Sequence, residues 1–351
     1  MFKVALVAIA GFLFVITATW AAVQMSPWPS VWVIRFIFAQ GSRKAAATMA
    51  PYVPPSVTAL NDQPYAPGEP GALFDLYRPK GAGKLPAIAW IHGGGFVAGD
   101  RSDVANYLKI LASHGYATVA VGYSRAPGDR FPTPVRQVNL ALAHLTEHAA
   151  QYGIDPERIV LAGDSAGAQI AAQTALVITE PAHARSLGIA PGLEPDALRA
   201  TILHCGVYDP RTMDDGQSPF ASFRQTVLWS YVGTRNPSPD QIARLAVTPN
   251  VTGSFPPSFI SVGNADPLAP QSVALADALR TAGTPVETLF FPPDHEPPLG
   301  HEYQFDFTTE ASQVALKQSL AFLEAHVGTE ARPASPNQRA ANSTLPLAAG
   351  Q

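Results

Sequence analysis

Five residues, Gly163-Asp164-Ser165-Ala166-Gly167, set a serine between small neighbours, directly after a short apolar run (158–162) and at the head of an Ala-rich segment. A strand-to-helix turn of that composition forces the serine into a strained, exposed conformation. Its Oγ then stands at the positive end of a helix, where developing negative charge is favoured. The chemistry such a group can do is nucleophilic attack. A second group of residues fits that chemistry. His92-Gly93-Gly94-Gly95-Phe96 follows another apolar run (86–91), and its glycines expose backbone N–H groups with no side chain in the way. Gly93, Gly94 and Gly95, joined by the N–H of Ala166, are the candidate donors to the oxygen of a tetrahedral intermediate. No G-x-x-x-x-G-K-[ST] loop or G-x-G-x-x-G fingerprint accompanies them, so phosphate cradling fits less well. His92 reads as a turn residue.

A serine at neutral pH needs a base, and the base needs a carboxylate to fix its tautomer. In strand–turn–helix architectures of this kind the chain order is serine, acid, histidine. The acid expected is Asp266, at the C-terminal end of the run 258–262, where open α/β sheets gather their functional groups. Asp209 and the pair Asp214 and Asp215 come too early in the strand order. Two histidines follow the last strand. His301, after Gly300 and just ahead of the final helix, is preferred over His295, which sits between Asp294 and Glu296 near Pro297. His326 reads as a helix-end residue, and His114, His144, His148 and His183 as surface residues. No H-E-x-x-H or other metal spacing appears, and His301-Glu302 lacks a second histidine four residues on, so neither metal nor cofactor is expected. Cys205, the single cysteine, allows no internal disulfide and reads as a core residue.

Positioning these groups falls to an alternation of short Val/Ile/Leu-rich runs with helix-length periodic segments. The runs 73–77, 86–91, 117–123, 158–162, 200–207, 258–262 and 286–291 are mostly continuous in apolar residues, as strands covered on both faces are. Helices are expected over 103–113, 134–152, 166–178, 271–282 and 310–327. Together they predict an α/β fold with a mostly parallel sheet, helices on both faces. The catalytic unit spans 71–328, with an insertion around 217–249 carrying short helices at 223–231. The tail, 329–351, reads as disordered from its Ala, Pro, Ser and Asn content.

Residues 4–23 carry no charge, and about 20 helical residues at about 1.5 Å each match a bilayer core of about 30 Å. The segment 1–27 therefore reads as a membrane anchor, or as a secretory signal that would leave the chain secreted or periplasmic when cleaved; a third reading has Trp28–Phe38 packed on the globular domain as a lid or arm. Residues 28–70 form an apolar arm or cap and a Pro-rich connector, with Trp20, Trp28 and Trp32 suited to a membrane–water boundary. Lys and Arg number 23 against 27 Asp and Glu, a formal charge of -4, which leaves no basic field for nucleic acid.

The motifs taken together, His92-Gly93-Gly94-Gly95, Tyr123-Ser124-Arg125-Ala126-Pro127, Gly163-Asp164-Ser165-Ala166-Gly167, Asp266-Pro267-Leu268 and His301, resemble those of the α/β-hydrolases, specifically the hormone-sensitive-lipase-like carboxylesterases. The resemblance implies an α/β-hydrolase fold over most of 73–327. It also implies Ser165 as nucleophile, Asp266 as acid, His301 as base, and a small-molecule ester as substrate. Ala168 stands where the family usually has a second glycine, and Gly128 where it often has a glutamate. A peptidase, amidase or acyltransferase would use the same triad. A non-catalytic binder on this scaffold is the reading from a different class.

Overall fold

Why the sheet is doubly covered follows from three of its strands, in which no residue faces water. In the computed structural model, which describes residues 2–213 and 221–328, β1 is Val57–Pro64, β2 Leu73–Pro79, β3 Leu85–Ile91 and β4 Ala117–Val121. Then come β5 Ile154–Asp164, β6 Leu198–His204, β7 Ser258–Val262 and β8 Val286–Phe290. β3, β4 and β7 are buried at every position. Such strands lose water from both faces and are held by packing on either side. Among the described residues they form one sheet in the order β1-β2-β4-β3-β5-β6-β7-β8. β1 and β2 are antiparallel to their neighbours and every later pairing is parallel.

The helices are α1 Phe2–Met25, α2 Trp28–Met49, α3 Ala105–Ala112, α4 Thr133–Glu147, α5 Ala149–Tyr152 and α6 Ser165–Thr179. They continue with α7 Pro181–Leu187, α8 Ala221–Val232, α9 Pro239–Ala243, α10 Ala269–Thr281 and α11 Glu310–Val327. α6 is the central one: residues 165–178 are all buried, which its alanines and glycine permit by letting neighbours approach from every side. The single helix expected over 134–152 is two, broken at His148, whose backbone (φ -104, ψ 20) leaves the helical region.

One difference from the sequence reading concerns the N-terminal part. β1 lies in the stretch read as connector. Its Asn61, Asp62 and Gln63 give no apolar pattern, because an exposed edge strand needs only a partner for its backbone, and β2 supplies it. The sheet therefore begins inside the 28–70 segment. The described large apolar side chains of α1, among them Val4, Phe12, Phe14 and Trp20, are exposed, whereas the stretch read as a possible packed arm lies in α2. α2 is buried on one side only: Val31, Ile34 and Met49 enter the core, and the Arg35 guanidinium donates to the carbonyls of Val97 (2.8 Å) and Ala126 (3.3 Å). The tail 329–351 and the start of the 217–249 insertion lie outside the described residues; past them the insertion folds as α8 and α9.

Candidate active site

β5 ends at Asp164 and α6 begins at Ser165, so the turn between them has no loop residues. Ser165 takes φ +52, a left-handed conformation that costs a non-glycine residue roughly 1–3 kcal/mol. The close packing around it explains the flanking glycines. A Cβ on Gly167 would lie 2.0 Å from the Ile91 carbonyl oxygen, so α6 can press against the end of β3 only without a side chain there.

Three stretches far apart in sequence meet at this turn. The His301 ring, in the loop beyond β8, has Nε2 2.9 Å from Ser165 Oγ and Nδ1 2.8 Å from Asp266 Oδ2. Asp266, after β7, has a fully buried carboxylate whose other oxygen accepts the Leu268 N–H at 2.8 Å. Burial of the ring works against a charged His301, but Cys205, the hydrogen-bonded Asp266 and Glu302 outweigh it and hold its pKa well above the ordinary value. Burial keeps the Cys205 thiol protonated, so the carboxylate at 2.8 Å is the cause that counts.

His295 is not in this cluster. It packs on Phe291 (centroids 4.8 Å apart), and its described contacts reach neither Ser165 nor Asp266. Asp209 is engaged with the Arg211 guanidinium at 2.8 Å, and Asp214 and Asp215 lie outside the described residues. His92 is a buried turn residue: Nδ1 meets the Gly93 carbonyl at 2.8 Å, its ring stacks on Tyr123, and burial lowers its pKa to about 4. His114 is exposed as read. His144, His148 and His183 are half-buried, a correction to the surface reading: His144 meets the Tyr152 hydroxyl at 2.9 Å and stacks on His148, and His183 meets Gln173 at 2.7 Å.

The glycine loop divides its N–H groups between two tasks. Gly93 donates to Asp164 Oδ2 at 2.8 Å, so that N–H is committed to holding the loop. Gly94 (φ +114) and Gly95 (φ +60) take no acceptor for theirs among the described residues. Gly94 also tolerates no side chain, since a Cβ would sit 2.3 Å from the Ala98 carbonyl oxygen.

Two carboxylates were not singled out from sequence. Asp164 occupies the variable position of the pentad, yet it is buried and accepts from both Gly93 and Trp90 Nε1 (2.7 Å). Burial, then the neighbouring Glu302 carboxylate, pushes the Asp164 pKa well above the usual range. Glu302 Oε1 lies 3.9 Å from His301 Nε2. Their only signal in the sequence is adjacency, Asp164 to Ser165 and Glu302 to His301. Asp164→Asn is expected to destabilise the fold by about 1–3 kcal/mol, because an amide offers one acceptor where two buried N–H donors need one each. An unchanged urea midpoint would show that these bonds do not hold the loop.

Cys205, missed as a neighbour of the site, sits at φ +43 beyond β6, buried beside His301 and Asp266. It brings Sγ, with one donor atom each from Asp266 and His301, into a group whose atoms lie within 4.8 Å of one another, a spacing that suits a cation. The His301–Asp266 hydrogen bond already brings two of the three together without an ion.

A cavity of about 380 Å³ opens beside the loop, lined by Gly93, Gly94, His301 and Glu302 below and by Ile37 and Phe38 of α2 above. Beside it, Phe223 of α8 lies over Gly95 and stacks on Phe38 (centroids 6.0 Å apart). A wider cleft of about 500 Å³, between the end of α6 and α7, holds Val177, Ile178 and Ile189 and none of these groups.

Fold and motifs together define a class. Residues 88–294, more than half of the chain, match the family described as alpha/beta hydrolase fold, and the chain belongs to it. The esterase LipQ of Mycobacterium tuberculosis is 28% identical over 256 residues, covering 70% of this chain and 59% of that one. The acetyl esterase of Salmonella paratyphi B is 26% identical over 227 residues, 62% of this chain and 66% of its own. This chain thus spans about three-fifths to two-thirds of the length of these relatives. Among solved structures, esterase B of Lactobacillus rhamnosis superposes with a TM-score of 0.72 at 22% identity, covering 90% of this chain and 98% of that one. The Pyrobaculum calidifontis esterase does so at 0.68 and 22%, covering 84% and 93%. At such identities the superpositions establish the fold.

Proposed function

We propose that the protein is a serine hydrolase that cleaves carboxylic esters through an acyl-enzyme. The observation that carries this is the unbroken chain of contacts from Ser165 Oγ to His301 Nε2 (2.9 Å) and from His301 Nδ1 to Asp266 Oδ2 (2.8 Å). Ser165 attacks the ester carbonyl as Nε2 takes its proton, and the resulting oxyanion lies against the N–H groups of Gly94, Gly95 and Ala166. His301 hands the proton to the departing alcohol. Water then attacks the acyl-serine by the same route, releasing the acid and restoring the hydroxyl. Gly93 is a positioning residue here, since its N–H is taken by Asp164. These steps use only groups of the chain. The esterase names of the relatives support the substrate class.

Labelling of folded protein with a fluorophosphonate probe tests the reading, with peptide mass spectrometry to find the adduct. An adduct on Ser165 that is absent in Ser165→Ala is expected; an unlabelled wild-type serine would overturn the nucleophile and favour the non-catalytic binder. A second expected result concerns pH. His301 is a base only when unprotonated, and its pKa is raised above 6.5, so kcat/KM should still be climbing through and beyond pH 6.5. A plateau already reached below that pH would contradict the Asp266 contact.

One N-terminal helix, 22 residues from Val4 to Met25, is long and apolar enough to be a membrane anchor or a signal sequence. The anchor is the reading adopted, supported by the join of α1 to the body: the Gln24 carbonyl accepts from the Arg235 guanidinium at 3.2 Å. Carbonate extraction of membranes should leave the full-length chain in the pellet, and its release into the supernatant would end the anchor reading.

A further inference from the structure

α2 is apolar on both sides although, among the described residues, only one side has a protein partner. Val31 and Ile34 face the core, while Trp32, Val33, Phe36 and Ile37 are 63%, 58%, 67% and 60% exposed. At 100° per residue these four share one arc of the helix, and Gln40, Arg43 and Lys44 continue it over the next two turns, all exposed. Large apolar side chains followed by cations along one helix face fit the boundary between acyl chains and anionic headgroups. The guanidinium of Arg35 lies over both the Trp28 and Trp32 rings, at 5.4 and 5.6 Å, which holds the rings in place beside this arc.

What covers the face is indicated by its neighbour in the chain. α1 is an exposed apolar helix of membrane-spanning length, and only Ser26 and Pro27 separate its end from Trp28. α2 therefore starts where α1 would leave the bilayer, and the Gln24–Arg235 bond fixes that exit point against the body. A second copy of the chain could cover four side chains of α2, but it gives no reason for continuity with α1 or for the cations that follow.

We infer that α2 lies along the membrane surface with Trp32, Val33, Phe36 and Ile37 in the acyl-chain boundary, and that the catalytic cavity takes its esters from the lipid phase. This rests on the esterase and anchor readings above and adds to them a substrate class: acyl esters that partition into membranes. The link between face and site is Ile37, exposed to 60% and also part of the cavity wall with Phe38, opposite Gly94 and His301. The same cavity is lined by His301, whose Nε2 contacts Ser165 Oγ, so an ester entering from lipid along Ile37 meets the histidine beside the serine.

The test uses the full chain in vesicles of phosphatidylcholine and phosphatidylglycerol. In W20F/W28F/W229F the remaining fluorophores are Trp32 and the fully buried Trp90. Emission should be quenched by lipids brominated near the headgroup end of the acyl chain and protected from aqueous iodide; the reverse pattern overturns the proposal. In W32S/V33S/F36S, none of which lines the cavity, hydrolysis of p-nitrophenyl acetate in solution should match wild type. Hydrolysis of p-nitrophenyl palmitate dissolved in the vesicles should fall about tenfold. Equal loss on both esters, or on neither, overturns the proposal, as does cross-linking that traps dimers through Trp32 while both quenchers fail. An inactive wild type on p-nitrophenyl acetate would instead sink the esterase reading, leaving the quenching result to decide the membrane contact by itself.

Discussion

Ser165→Ala and His301→Ala are each expected to lower kcat for a short-chain ester by about 10⁶-fold, and the double variant by no more than either alone. The reason is that the two atoms act as one unit. Oγ is nucleophilic only while Nε2, at 2.9 Å, accepts its proton, so removing either partner abolishes the same step. The residual rate should remain above the uncatalysed one, because the N–H groups of Gly94, Gly95 and Ala166 still receive the oxyanion. His295→Ala is the control. His295 leans on Phe291 away from the serine, so its loss should leave turnover near wild type. Steady-state kinetics on these four variants, each checked for a native circular dichroism spectrum, decides the matter. A large loss in His295→Ala with a small one in His301→Ala would reassign the base.

Asp266→Asn is expected to cost about 10⁴-fold in kcat with the fold intact. The two oxygens of Asp266 have different partners: Oδ1 accepts the Leu268 N–H and Oδ2 meets His301 Nδ1, each at 2.8 Å. An asparagine has one acceptor to share between them. If its oxygen stays with Leu268, the amide nitrogen faces Nδ1 as a donor and drives the ring proton to Nε2. That nitrogen can then no longer accept from Ser165, which is how a near-isosteric change becomes a large kinetic one. The same substitution removes the carboxylate that raises the His301 pKa, so the acid limb of kcat/KM should move to lower pH. Both effects are needed: a slow enzyme with an unmoved limb would mean that Asp266 acts on structure and not on the imidazole. Near-wild-type turnover would point to another acid.

Much of this was legible in the chain because each feature has a local cause. The pentad and the glycine run are short sequences whose backbone demands are met only by small residues, as the Gly167–Ile91 approach shows. A continuous apolar run such as 86–91 is read as a buried strand because burial on both faces leaves no polar position. β1 escaped for the converse reason. An exposed edge strand is specified by its pairing with β2, and Asn61, Asp62 and Gln63 carry no trace of that partner. The division of labour in the glycine loop was equally invisible, since Gly93 and Gly94 are the same residue type. Only the approach of Asp164 takes one N–H and leaves the other free.

By itself, then, the sequence determined the fold class, the serine on its turn, and a short choice of partners, because those rest on residue type and nearest-neighbour sterics. The tertiary structure decided which histidine reaches the serine, that the Asp164 and Glu302 carboxylates lie together beside it, and that one face of α2 forms the cavity wall next to the face left bare. Those outcomes depend on distances between stretches more than a hundred residues apart, such as the 136 that separate Ser165 from His301. No spacing along a chain encodes such a distance until the sheet has set where each loop emerges.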